Sequence, residues 1–115
     1  MDMSEWTSQL RRGILEYCIM LLISQAPRYG YELVTLLENR EPLSVTEGTL
    51  YPLLRRLQKE KYIESHWKES ESGPPRKYYS LTPAGHQLLT SMSVEWHKLA
   101  VSVHHIQLHK GEEVQ

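Results

Sequence analysis

Hydrophobic and polar positions along this chain change period twice, from helical spacing to strict alternation and back. From about Ser4 to Ser24 the spacing predicts a first helix. Trp6, Leu10 and Ile14 recur every four residues, and Ile14 to Ile23 is apolar nearly all round, interrupted by Glu16. A helix apolar on every side is buried on every side, which in a chain this short predicts a partner chain over part of it. Pro27 breaks this helix, and Arg28-Tyr29-Gly30 reads as a turn. A short second helix is predicted over about Tyr31 to Asn39, with Leu33, Val34, Leu36 and Leu37 inward, and Pro42 separates it from the next.

The stretch Ser44 to Leu57, SVTEGTLYPLLRRL, predicts a third helix whose apolar face is Leu50, Leu53, Leu54 and Leu57. Its other face offers Thr49, Tyr51, Arg55, Arg56 and Lys59, a mixture of hydroxyl, ring and cation suited to phosphates and base edges. Two starts are open. With Thr46 as cap, its hydroxyl accepting from an early N–H, Pro52 lies inside the helix and removes a bond to the Gly48 carbonyl. With Thr49 as cap, Pro52 falls in the first turn at little cost.

Alternation then takes over. Ile63, Ser65 and Trp67 alternate with Glu64, His66 and Lys68, the pattern of a half-buried strand. Ser70 to Pro75 is turn-rich, and Arg76 to Leu81 alternates again, with Tyr79 and Leu81 on one face. Three helices followed by a hairpin predict a winged helix-turn-helix, mainly α with a small β-hairpin. Its wing carries Arg76 and Lys77 just past the tip, on the side expected to hold Arg55, Arg56 and Lys59. Thr82-Pro83 opens a last helix, cap followed by first-turn proline. Leu89, Met92, Trp96, Leu99, Val103 and Ile106 are spaced three, four, three, four, three, which is a heptad seam. From Pro83 to Lys110 that helix spans roughly 42 Å at 1.5 Å per residue. It overhangs a small domain, and the predicted cover for its stripe is a second subunit. Gly111 ends it. Residues 1–81 thus read as a winged-helix unit, 82–110 as a dimerisation helix and 111–115 as a tail.

Composition narrows the function. At 115 residues, 40% hydrophobic and 23% charged, the chain suits one globular domain. The formal net charge of −1 does not advertise a nucleic-acid partner, so that case rests on local distribution. One cysteine, Cys18, excludes an internal disulfide and reads as a buried reduced thiol. No apolar run approaches the ~20 residues that span a bilayer, and no secretory pattern opens the chain, so a cytoplasmic protein without membrane contact is expected.

Three pieces in order resemble the PadR family of bacterial transcriptional regulators: Tyr29-Gly30-Tyr31-Glu32-Leu33, Glu47 to Leu57 (EGTLYPLLRRL) and Arg76 to Gly85 (RKYYSLTPAG). The resemblance implies a winged-helix homodimer that binds a palindromic double-stranded DNA operator, usually as a repressor. The single C-terminal helix looks like the smaller subfamily. Some of its members hold flat aromatic compounds at the dimer centre against a tryptophan of the last helix, and Trp96 occupies that position. One departure is Lys61, where glycine is common. A left-handed conformation there costs lysine more than glycine.

The expected DNA-binding residues are therefore Thr46, Thr49, Tyr51, Arg55, Arg56, Arg76 and Lys77. Trp96 is first of all a seam residue. A large ring at a two-fold axis meets its own copy, however, and a gap there would be lined by Met92 with Leu10 or Ile14, giving a small planar aromatic effector a site. His105 and His109 are four apart, a spacing that can hold a metal. No cysteine or matching carboxylate joins them, so a solvated helix face is expected and no metal. No catalytic constellation stands out, and neither an enzyme nor a cofactor is expected. The reading is a sequence-specific DNA-binding regulator released by its effector. The alternative is a winged-helix dimer that serves only protein–protein contact.

Overall fold

The computed structural model describes residues 2–109. Among them the order is α1 (Met3–Gln25), β1 (Arg28–Tyr29), α2 (Gly30–Glu38), α3 (Glu47–Lys59), β2 (Ile63–Ser70), β3 (Gly73–Leu81) and α4 (Pro83–Leu108). This is a winged helix-turn-helix with a long C-terminal helix. The expected end of that helix at Lys110 and Gly111, and the tail to Gln115, lie outside the described residues.

The core is one cluster. Leu15, Ile19, Met20 and Ile23 of α1 meet Leu33 and Leu37 of α2, Leu50, Leu54 and Leu57 of α3, and Ile63, Tyr79 and Leu81 of the sheet. The helical positions follow the three- and four-residue spacing of the sequence. Ile14, Cys18 and Leu21 on the rest of α1 stay half-exposed within one chain. Burial pushes the Cys18 thiol above its ordinary value, which keeps it protonated.

The sheet is antiparallel in the order β1-β3-β2. Its first strand replaces the turn expected at Arg28-Tyr29: Arg28 faces Tyr79 and Tyr29 faces Tyr78. Two residues are too short for an alternation signal, so only the partner strand reveals them. Arg28 also fastens α1 to α2, donating from Nε to the Leu22 carbonyl at 3.1 Å and pairing with Glu32 at 3.4 Å. Glu32 in turn accepts from the Tyr29 N–H at 3.4 Å, one half of a capping box.

The hairpin is longer than the sequence suggests. Ser70 pairs with Gly73, so the tip is Glu71-Ser72, and Pro74 and Pro75 lie within β3. A register irregularity falls between Lys68 and Ser70. Arg76 and Lys77, expected just past the tip, sit in mid-strand opposite Lys68 and Trp67. Trp67, expected on the half-buried face, is 69% exposed. It follows the alternation, but the strand has by then run beyond the helices that would cover it.

Helix α3 closes with a Schellman motif. The Tyr62 N–H donates to the Leu57 carbonyl and the Lys61 N–H to that of Gln58, both at 3.0 Å. Lys61 stands in the left-handed position at φ 66°, the site where glycine is the easier residue. The start of α4 is then pinned to this turn. The Thr82 hydroxyl donates to the Lys61 carbonyl at 2.6 Å and accepts from the Gly85 N–H at 3.0 Å. Gly85 lies so close to the Tyr62 carbonyl that a Cβ has no room.

Candidate nucleic-acid interface

Helix α3 buries Leu50, Leu54 and Leu57 completely and turns Thr49, Pro52, Arg55, Arg56 and Lys59 to solvent. Of the two possible starts, Thr46 is the N-cap and Pro52 lies inside the helix. The Thr46 hydroxyl does not cap as expected. It donates to the Thr49 hydroxyl at 3.4 Å instead, while its carbonyl accepts the first helical bonds. Both hydroxyls are exposed and gathered at the helix start, the end with which a recognition helix meets base edges.

On one flank of α3 the wing and the start of α2 enclose a cleft of about 600 Å³. Tyr51 of α3, Trp67 and Tyr79 of the hairpin, and Tyr29 and Tyr31 at the start of α2 supply its rings, and Arg76 and Lys77 supply its charge. Tyr51 is wedged against the first residue of α2. A Cβ on Gly30 would lie 2.6 Å from the Tyr51 ring, so glycine is what lets this ring lie against the helix start. Arg76 and Lys77 alternate in direction along β3. The Arg76 guanidinium stands 4.5 Å from the centre of the Tyr29 ring and Lys77 Nζ 5.8 Å from that of Tyr79. Burial pushes the phenols of Tyr51 and Tyr79 up. The Glu47 carboxylate adds to the effect on Tyr51, and Arg55 opposes it on Tyr79. Both therefore remain neutral hydroxyls at physiological pH, able to donate to a phosphate or a base acceptor.

Arg56 is on the other flank. Its guanidinium pairs with Glu16 of α1 at 3.2 Å and reaches Glu60 at 4.0 Å. The sequence expectation that Arg55, Arg56 and the wing cations share one side thus divides. Arg55 acts on Tyr79 towards the wing, and Arg56 leans on α1. Adjacent helical residues differ by about 100° in direction, which is enough to separate them.

Helix α4 carries the remaining expected residues. Leu89 and Met92 pack on the core, whereas Trp96, Leu99, Val103 and Ile106 are exposed, Ile106 at 75%. Ile14, Tyr17, Met92, Trp96 and Leu99 line a shallow groove of about 220 Å³ between α1 and α4, with Gly13 and Glu95 at its edge. Leu10, expected there, lies one turn nearer the start of α1 than Ile14 and lines none of it. Tyr17 is the residue that sequence reasoning missed. Its ring lies 6.4 Å from that of Trp96, and its hydroxyl donates to Ser93 at 2.9 Å. His105 and His109 stack edge to face, 6.0 Å apart. Among the described residues no group of three metal-ligating side chains comes together, and no helix is long and apolar enough to cross a membrane.

The sequence model of the transcriptional regulator PadR-like family matches residues 19–91, more than half of the chain. The chain belongs to the PadR family. It is a PadR-like transcriptional regulator and not an enzyme. A PadR-like transcriptional regulator of Bacillus cereus is 44% identical, with 90% of this chain and 99% of that one covered and a TM-score of 0.80. A PadR-like transcription factor of Bacteroides fragilis is 45% identical over 89% of this chain and 98% of its own, with a TM-score of 0.71. Bacillus subtilis PadR, solved in complex with operator DNA, is 24% identical over 70% of this chain and 47% of its own, at a TM-score of 0.65. That last likeness is one of fold.

Proposed function

We propose that this PadR-family regulator is a cytoplasmic homodimer that binds a palindromic DNA operator as a repressor. In this reading Thr46, Thr49 and Arg55 face base edges, Arg76 and Lys77 hold phosphate, and Tyr51 positions the α3–wing cleft. The observation that carries it is that cleft: Tyr51 of α3 and two wing cations line one ring-rich space of about 600 Å³, and the exposed hydroxyls of Thr46 and Thr49 stand at the start of the same helix. The Bacillus subtilis PadR complex supports duplex DNA as the class of partner. Phosphate contacts position a protein without reading sequence, and base-edge contacts read it.

The test is binding to a duplex from upstream of the protein's own gene and to a scrambled duplex, at several salt concentrations. Lys77→Ala is expected to weaken both alike and to lower the salt slope by about 0.9 for each phosphate no longer neutralised. Thr49→Ala is expected to weaken the operator alone by about 1 kcal/mol, roughly fivefold. Tyr51→Phe separates the two roles of that residue, since it keeps the ring on Gly30 and removes only the hydroxyl. An unmodified protein that binds neither duplex refutes the reading and leaves the winged helix as a protein-contact module.

The proposed effector is a small planar aromatic molecule held between two copies of the Trp96 groove. One groove of about 220 Å³ is smaller than the ~300 Å³ at which ligand pockets begin, and two symmetric halves make a full site. Micromolar planar dyes are expected to quench tryptophan fluorescence and release DNA, and Trp96→Ala to abolish both effects. Equal quenching in that variant, arising from Trp6 or Trp67, counts against the site.

A further inference from the structure

On the α1 side of α3 lies a second groove, of about 590 Å³. Arg11, Arg12 and Glu16 of α1 face Thr49, Pro52 and Arg56 of α3 across it. Thr49 and Pro52 are both exposed, so the groove opens directly onto the solvent strip of α3. Three guanidinium groups meet one carboxylate, a local excess of positive charge in a chain whose formal total is −1.

The three arginines have different occupations. Arg11 donates from Nη1 to the Pro42 carbonyl at 3.2 Å and the Ser44 carbonyl at 3.4 Å, and so holds the loop that leads into α3. Arg56 is held by Glu16 at 3.2 Å, with the two side chains 50% and 28% exposed. A pair this open to water is weakly held. Arg12 is exposed and its guanidinium, among the described residues, makes neither a hydrogen bond nor an ion pair. Nothing in the protomer's own packing calls for a guanidinium at position 12.

We propose that this groove is a second phosphate-binding flank, resting on the DNA reading above. Arg12 and Arg56 grip the DNA backbone on the α1 side of α3, as Lys77 does on the wing side. Glu16 restrains Arg56 until a backbone phosphate takes the place of its carboxylate. The exchange suits the chemistry, because a phosphodiester presents two anionic oxygens to the same planar guanidinium fork that a carboxylate engages. Glu16 thereby acts as a brake on non-specific affinity, since it opposes every duplex equally.

Anisotropy titrations of the full-length protein against the upstream and scrambled duplexes, between about 50 and 200 mM salt, test this. Arg12→Ala is expected to weaken both duplexes alike and to lower the salt slope by about 0.9 per protomer, about 1.8 for the proposed dimer, so that affinity falls about 12-fold less across that range. Arg12→Lys keeps the charge and is expected to restore most of the slope. Glu16→Gln leaves Arg56 only its looser 4.0 Å pair with Glu60 and is expected to tighten binding to both duplexes and steepen the slope, a change of sign that loss of fold cannot produce. Wild-type affinity in both Arg12→Ala and Glu16→Gln, with Lys77→Ala still weakened, overturns the flank and leaves the DNA reading standing. An unmodified protein that binds neither duplex overturns both.

Discussion

Single residues in this chain carry constraints that spacing alone does not express. Lys61 is the clearest. The Schellman turn after α3 needs a left-handed residue, and the chain meets it with lysine at φ 66°. A non-glycine residue there carries about 1–2 kcal/mol of strain, part of which glycine gives back as unfolded-chain entropy. Lys61→Gly is therefore expected to stabilise the protein by about 0.5–1 kcal/mol, seen as a melting temperature about 2–6 °C higher. An unchanged or lower melting temperature contradicts that account. This constraint is legible in the sequence through one departure from a family pattern. The meaning of Gly30 is not. A glycine opening a helix says nothing of a tyrosine far along the chain, and only the fold brings the Tyr51 ring against it.

At the scale of elements, period decides what can be read. The helices announce themselves because their buried leucines recur at three and four residues, and α3 keeps Leu50, Leu54 and Leu57 fully enclosed. The hairpin is legible where Ile63, Tyr79 and Leu81 alternate over the core, and not where β2 and β3 extend past it. There the alternation persists but no longer reports burial, which is why Trp67 departs from expectation. The polar side of α3 is legible as a single helix face. Its division into two flanks is not, because Arg56 pairs with Glu16 of α1 and nothing in residue type sets it apart from Arg55. The junction of α3, β2 and α4 has its own test. Gly85 touches the Tyr62 carbonyl, a backbone atom that cannot swing aside. Gly85→Ala is expected to destabilise by about 1–3 kcal/mol through overpacking, despite the better helix propensity of alanine. A denaturant midpoint equal to or above that of the parent contradicts this close approach.

The molecule as a whole is too long for what one chain can bury. It measures 63 × 33 × 22 Å with a radius of gyration of 17.3 Å, where a compact domain of this length has about 13 Å. The excess is α4, whose far half bears Leu99, Val103 and Ile106 in the open, while Trp6 and Leu10 stand exposed near the start of α1. The heptad spacing that announces this stripe also says what fits it, since a seam of period 3.5 is covered by another helix of the same kind. In the proposed homodimer a second copy supplies one, and a two-fold pair of α3 helices is then expected to meet half-sites one DNA turn, about 34 Å, or a multiple of it apart. Leu99→Glu tests the assembly at its most committed point. Introducing an unpaired carboxylate into the seam costs about 3–5 kcal/mol per chain, and the core of each winged helix, remote from residue 99, does not share that cost. Light scattering is expected to find two chains per particle for the parent and one for the variant, with helical circular dichroism of the core retained. Operator binding in the variant is expected to fall far more than binding to scrambled DNA, because specificity needs both half-sites while phosphate contacts act one protomer at a time. A parent that scatters as a single folded chain leaves the exposed stripe of α4 without its proposed occupant.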